Sequence, residues 1–126
     1  MRTNWICSVI LSLLFATSAM GQVSLKKKAV VYVGSAANTS APATVLETKV
    51  RGATPEWKKI KAEGIDTTSA RGKQLITKMN QRIRKAVQAV ADSEGRDMVT
   101  RAKDMKDDRG KPVADLTDLV VTELER

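Results

Sequence analysis

The sequence predicts an α+β fold in which short strands flank an antiparallel helical hairpin and a short helix closes the chain. Three observations carry this reading. A β-branched run, Ala29-Val30-Val31-Tyr32-Val33, ends at Gly34 and reads as a buried strand. Two apolar seams at heptad spacing, Leu46-Val50-Ala53-Trp57-Ile60 and Ile76-Met79-Ile83-Ala86-Val90, are joined by a turn at residues 64–69. A further strand is expected at 97–102, after Gly95.

Ahead of these elements, residues 1–21 read as a signal peptide. Arg2 gives the positive start, Trp5 to Ala16 the apolar stretch, and Ala16, Ser18, Ala19 and Gly21 the small residues that signal peptidase needs. Cleavage is expected after Gly21 or after Ala19, with release into the periplasm. The apolar run falls short of the roughly 20 residues of a transmembrane helix. The mature chain, 22–126, then loses Cys7 and contains no cysteine and no histidine. It is read as one domain, with 22–42 and 94–126 as a body and 43–93 as a hairpin inserted into it. A chain of roughly 105 residues without staples buries little surface, and oligomerisation is the natural remedy.

Charge is unevenly placed. Residues 26–85 carry 14 Lys/Arg against 4 Asp/Glu, whereas 86–126 carry 7 against 10. The basic part suits acidic protein segments or anionic lipid. Export sets nucleic acid aside.

Along the mature chain, Gly34 to Pro42 has loop composition, and Asn38-Thr39-Ser40 matches a glycosylation sequon by chance. The next segment is helical but interrupted by Gly52 and Pro55. Thr54 can cap a restart with Pro55 at the first helical position, so a kink or break is expected there. Gly64 suits a left-handed helix end, and Asp66, Thr67 or Ser69 can cap a second helix running from about 69 to 93. The two seams describe an antiparallel, coiled-coil-like helical hairpin; the alternative is two amphipathic helices packed on a globular core. Residues 103–112 form a charged loop or turn, Val113-Ala114 a short strand, and Thr117 the N-cap of a last helix with apolar face Val120, Val121 and Leu124.

Catalytic apparatus is not legible. The mature chain offers no histidine for acid–base work, no cysteine nucleophile and no glycine-rich phosphate loop. Asp104, Asp107 and Asp108 miss the alternate spacing of a calcium loop. A non-enzyme without cofactor or metal is expected.

Three segments are similar to a known family. Arg82-Ile83-Arg84-Lys85-Ala86-Val87-Gln88-Ala89-Val90-Ala91, then Asp97-Met98-Val99, then Asp115-Leu116-Thr117-Asp118-Leu119-Val120 resemble the C-terminal half of the Skp/OmpH family, and Lys28 to Ser35 resembles its first strand. The resemblance implies an ATP-independent periplasmic holdase for unfolded outer-membrane proteins. It implies a homotrimer whose strands form a central β-barrel body, with helical hairpins projecting as arms. On that reading Val30, Val31, Tyr32, Val33, Met98 and Val99 are the oligomer interface. Lys49, Arg51, Lys58, Lys59, Lys61, Arg71, Lys73, Lys78, Arg82, Arg84 and Lys85, together with Leu75, are the client-contacting residues of the arm. The sequence departs from the family in the arm, where only about nine residues join Lys61 to Arg71; the second helix spans roughly 40 Å and the arms are stubby. The competing reading is a basic periplasmic module that lies on anionic lipid or lipopolysaccharide.

Overall fold

The β-branched run does become a strand, but it is one edge of a larger sheet. The computed structural model describes residues 22–126, so the signal-peptide reading of 1–21 lies outside the described residues. In chain order the elements are β1 (Ser24–Leu25), β2 (Val31–Val33), β3 (Pro42–Val45), α1 (Glu47–Gly52), α2 (Pro55–Glu63), α3 (Ala70–Glu94), β4 (Met98–Arg101), β5 (Met105–Asp107), β6 (Ala114–Asp115) and α4 (Thr117–Leu124). Short 3₁₀ turns occupy Ala36–Asn38 and Ala102–Asp104.

The main sheet has the order β2-β4-β3-β6. β4 pairs antiparallel with β2 and parallel with β3, in a register that sets Ala43 against Val99 and Thr44 against Thr100. A parallel pair needs a long crossover, and α1, α2 and α3 supply it. β1 and β5 form a separate two-stranded ribbon. The α+β class thus holds, and neither sheet closes into a barrel among the described residues.

Sequence reading had placed 43–45 in the arm; these residues are instead the buried centre of the sheet. Ala43 and Val45 have no exposed surface and belong to the core with Val50, Met79, Ile83, Val87, Val99, Leu116 and Val120. Pro42 opens β3, the strand position where a missing N–H is tolerated. Met98 and Val99 also have no exposed surface within the single chain, so these two residues of the expected interface are core residues of the protomer. Val31, Tyr32 and Val33 are half-buried on the edge strand, and Val30 is half-buried just before it.

The second seam is buried mainly against the body, whereas the first is buried at Val50 and Ile60 and partly at Ala53 and Trp57, and its expected first member, Leu46, is 50% exposed. Met79, Ile83, Ala86 and Val90 of α3 join the core, with Ile76 partly buried beside them. α3 packs on α2 on one flank and on α4, β2 and β4 elsewhere. From about Ile76 on, α3 therefore lies on the globular core, whereas α2 packs on α3 and α1 and reaches the core cluster through Trp57. The expected kink is a full break. The Thr54 hydroxyl accepts from the Trp57 N–H (3.3 Å) and donates to the Arg51 carbonyl (2.6 Å), bracing the two helices across Pro55. Gly64 takes the left-handed conformation (φ 59°) and Ser69 caps α3, as the sequence predicts. At α4 the cap falls one residue earlier, on Leu116, because Asp115 accepts both the N–H and the hydroxyl of Thr117. The Thr117 hydroxyl in turn accepts from the Leu46 N–H (2.9 Å), which ties α4 to the end of β3.

Candidate functional site

The basic hairpin is built from α2 and α3, antiparallel, with two ion pairs that fix its register. Arg82 grips Glu56 through Nε (3.0 Å) and an NH₂ group (2.9 Å), and Arg71 meets Glu63 at 3.2 Å nearer the turn. Burial raises the Glu56 pKa, and the Arg82 hydrogen bonds outweigh this and hold it below the usual carboxylate range. Glu56 is 8% exposed while Arg82 is half exposed, so the fork is a part-buried polar link between the helices.

The expected client-contacting residues divide into three groups. Lys49, Arg51, Arg71 and Arg82 have acidic partners: Asp118, Glu47, Glu63 and Glu56. Arg84 lies over the Tyr32 ring at 6.0 Å, and burial followed by the nearby Glu47 charge pushes the Tyr32 pKa up. Lys58, Lys59, Lys61, Lys73, Lys78 and Lys85 are exposed and have no acidic partner within ion-pair distance among the described residues. Lys61 and Arg51 both lie over the Trp57 ring, at 5.2 and 5.0 Å. Leu75 is half-buried.

The charge order on α3 runs against its own dipole. From Ala70 to Ala91 it carries Arg71, Lys73, Lys78, Arg82, Arg84 and Lys85 and no acid, and Asp92 and Glu94 sit in its last turn. A helix gains when acids stand at its start and cations at its end, each by roughly 0.3–1 kcal/mol. The helix dipole thus does not account for this arrangement.

Beneath the hairpin, a second set of charges fastens the body. Glu47 accepts from Arg51 and from Arg101 (2.9 Å), and Asp104 accepts from Arg101 and from the Val30 N–H (2.9 Å). Asp97 closes the 34–42 loop onto β4: its carboxylate accepts from the Ser40 N–H (2.7 Å) and hydroxyl (2.9 Å), the Ala41 N–H (3.0 Å) and the Thr39 hydroxyl. The Glu47–Arg51 spacing is legible as an i,i+4 pair. Glu56–Arg82 and the Asp97 latch join residues far apart in sequence and leave no local signal.

These acids make stability depend on pH in one direction. For Glu47, Asp97 and Asp104, burial raises the pKa, but the hydrogen bonds just named win and leave each below its unfolded value of 4.5 (Glu) or 3.8 (Asp). Groups with depressed pKa stabilise the fold at pH above their unfolded values and lose that contribution as pH falls through the folded ones. Stability is therefore expected to be level from about pH 5 to 7 and to drop below about pH 4, by up to about 1.4 kcal/mol per pH unit for each carboxylate taking up a proton. Urea titrations followed through Trp57 at pH 7, 5, 4 and 3 check this; an unchanged midpoint at pH 3 contradicts it.

Among the described residues, no group of three His, Cys, Asp or Glu side chains is placed to hold a metal ion, and no helix is long and apolar enough to cross a membrane. No family model matches the chain, and no curated protein or solved structure matches it either.

Proposed function

We propose that the chain, once exported to the periplasm, is an ATP-independent holdase for unfolded outer-membrane proteins and that its basic hairpin captures them. One observation carries the reading: α3 is free of acids from Ala70 to Ala91 and ordered against its own dipole, and its Lys73, Lys78 and Lys85, with Lys58, Lys59 and Lys61 of the neighbouring α2, form no ion pair among the described residues. Charges held free of intramolecular partners attract acidic unfolded chains from a distance and bind them without selecting one fold. The hairpin is a ridge on the body and does not form a deep cage, so capture is by surface contact.

Assembly as a trimer fits the sheet. Its two free edges, β2 and β6, leave β2 of one copy able to pair head-to-tail with β6 of the next. Closing such a ring at three copies would join the sheets into a barrel, with Val30 to Val33 at the seams. Met98 and Val99 support that edge from inside each protomer.

Charge reversal tests the reading. In the triple variant Lys58→Glu, Lys59→Glu, Lys61→Glu, each exposed change shifts folding by about 0.5 kcal/mol or less. Capture of an unfolded acidic β-barrel protein should slow about tenfold at low salt, and the difference should shrink as salt screens the charges. A variant that protects as fast as the parent at low salt refutes capture by the hairpin. Binding to anionic vesicles without protection of unfolded protein would instead assign the basic surface to lipid.

A further inference from the structure

We propose that the trough between α3 and α4 is a second contact site for unfolded chains, one that takes alternate side chains of an extended segment with an acidic residue at one end. The assignment rests on the holdase reading and adds to it a place for apolar side chains, which the lysine ridge does not provide.

The trough has two compartments. One, of about 380 Å³, has Ala89, Val90 and Leu119 on its apolar side and Glu94 at its rim. The other, of about 200 Å³, is floored by Ala86, Ala89 and Leu124. Ala89, Glu123 and Arg126 line both. Each exceeds the roughly 150 Å³ that accommodates a benzene ring in an apolar protein cavity. Leu119 is 45% exposed, one of two large apolar side chains left so open among the described residues.

Spacing and charge select the occupant. Ala86 and Val90 are one helical turn apart, roughly 6 Å along α3. Same-face side chains of an extended strand repeat at roughly 6.8 Å. An extended segment laid along α3 therefore drops side chains i and i+2 into the two compartments. The smaller compartment is lined by Arg82, which is paired with Glu56, by Arg126, which is paired with Glu123, and by Lys85, which forms no ion pair among the described residues and so supplies the unbalanced positive charge. Lys85 favours a carboxylate at that end, whereas at the other, where Arg126 offsets Glu123, Glu94 disfavours one. Strands of outer-membrane barrels alternate apolar and polar residues with this period.

The probe is a blocked peptide, Phe-Thr-Phe-Thr-Asp, added to the ¹⁵N-labelled exported protein. Amide shifts are expected at 86–93 and 119–124, and replacing the peptide's Asp by Lys should weaken binding severalfold. Ala89 is exposed, so Ala89→Phe fills the shared wall without entering the core. It should weaken peptide binding at least tenfold and reduce protection of unfolded protein. Leu119→Ser, on the other helix, should act in the same direction with α3 untouched. Shifts confined to 58–78, or peptide binding unchanged in both variants, overturn the trough while leaving capture by the hairpin intact. A parent protein that binds the peptide in the trough yet protects no unfolded chain overturns the holdase reading, and with it unfolded chains as the occupant.

Discussion

Val99→Asp is expected to leave the chain unfolded at pH 7. Val99 has no exposed surface, sits on the central strand between β2 and β3, and packs in the core with Val87, Leu116 and Val120. An ionised carboxylate there has neither water nor a cation; burying it costs several kcal/mol, and staying neutral at pH 7 costs a comparable amount. Small domains hold only about 5–15 kcal/mol in total. The expected result is loss of the cooperative transition in Trp57 fluorescence and of the far-ultraviolet helical signal. A residue that merely joined subunits would behave differently. If Val99→Asp gives a folded monomer with the parent's spectrum, Val99 is an interface residue and its place in the protomer core is wrong.

Gly34→Ala should cost about 3 kcal/mol. Gly34 has φ +71°, and a Cβ there would lie 1.9 Å from the Asp97 carbonyl oxygen and 3.0 Å from its carbon. The left-handed backbone alone costs an alanine roughly 1–2 kcal/mol. The clash adds more, because the atoms in the way are backbone and cannot rotate aside. Moving them pulls on the Asp97 carboxylate that latches Thr39, Ser40 and Ala41. Gly52→Ala is the control: nothing lies within 4 Å of its Cβ position and it closes α1, so alanine should leave stability unchanged or raise it by up to about 1 kcal/mol. Urea midpoints at constant slope measure both. A Gly34→Ala midpoint indistinguishable from the parent's would contradict the close packing of the 34–42 loop on β4.

Where residues announce themselves locally, the fold was legible. Thr54-Pro55, Gly64 and Ser69 mark helix ends by capping chemistry that needs no tertiary context, and all three stand where their residue types place them. β3 was hidden because Pro42-Ala43-Thr44-Val45 is short, opens on proline and has a small residue where the sheet is most crowded. Its strand character comes from pairing with β4 and β6, which no local pattern encodes. β1 and β5 were missed for the same reason, at two and three residues. The heptad seam on α3 is buried, and the one across α1 and α2 is buried from Val50 on but not at Leu46; a seam says that a face is buried and not against what. Much of the α3 seam faces the sheet and α4, and that decides between an arm and a packed helix. At the candidate site, sequence named the cations correctly as a basic helix surface. It could not separate Arg82, locked to Glu56 across 26 residues, from Lys78 and Lys85, which form no ion pair among the described residues. The trough was invisible because Ala89 and Leu119 meet only when α4 folds back along α3.

The most direct measurement is light scattering as a urea-unfolded outer-membrane β-barrel protein is diluted into buffer containing residues 22–126 of the protein, with neither nucleotide nor lipid present. The holdase account predicts that scattering is suppressed at near-stoichiometric protein, that suppression weakens as salt is raised, and that adding ATP changes nothing. Aggregation proceeding at the rate seen without the protein, at low salt and in excess of it, would contradict the account.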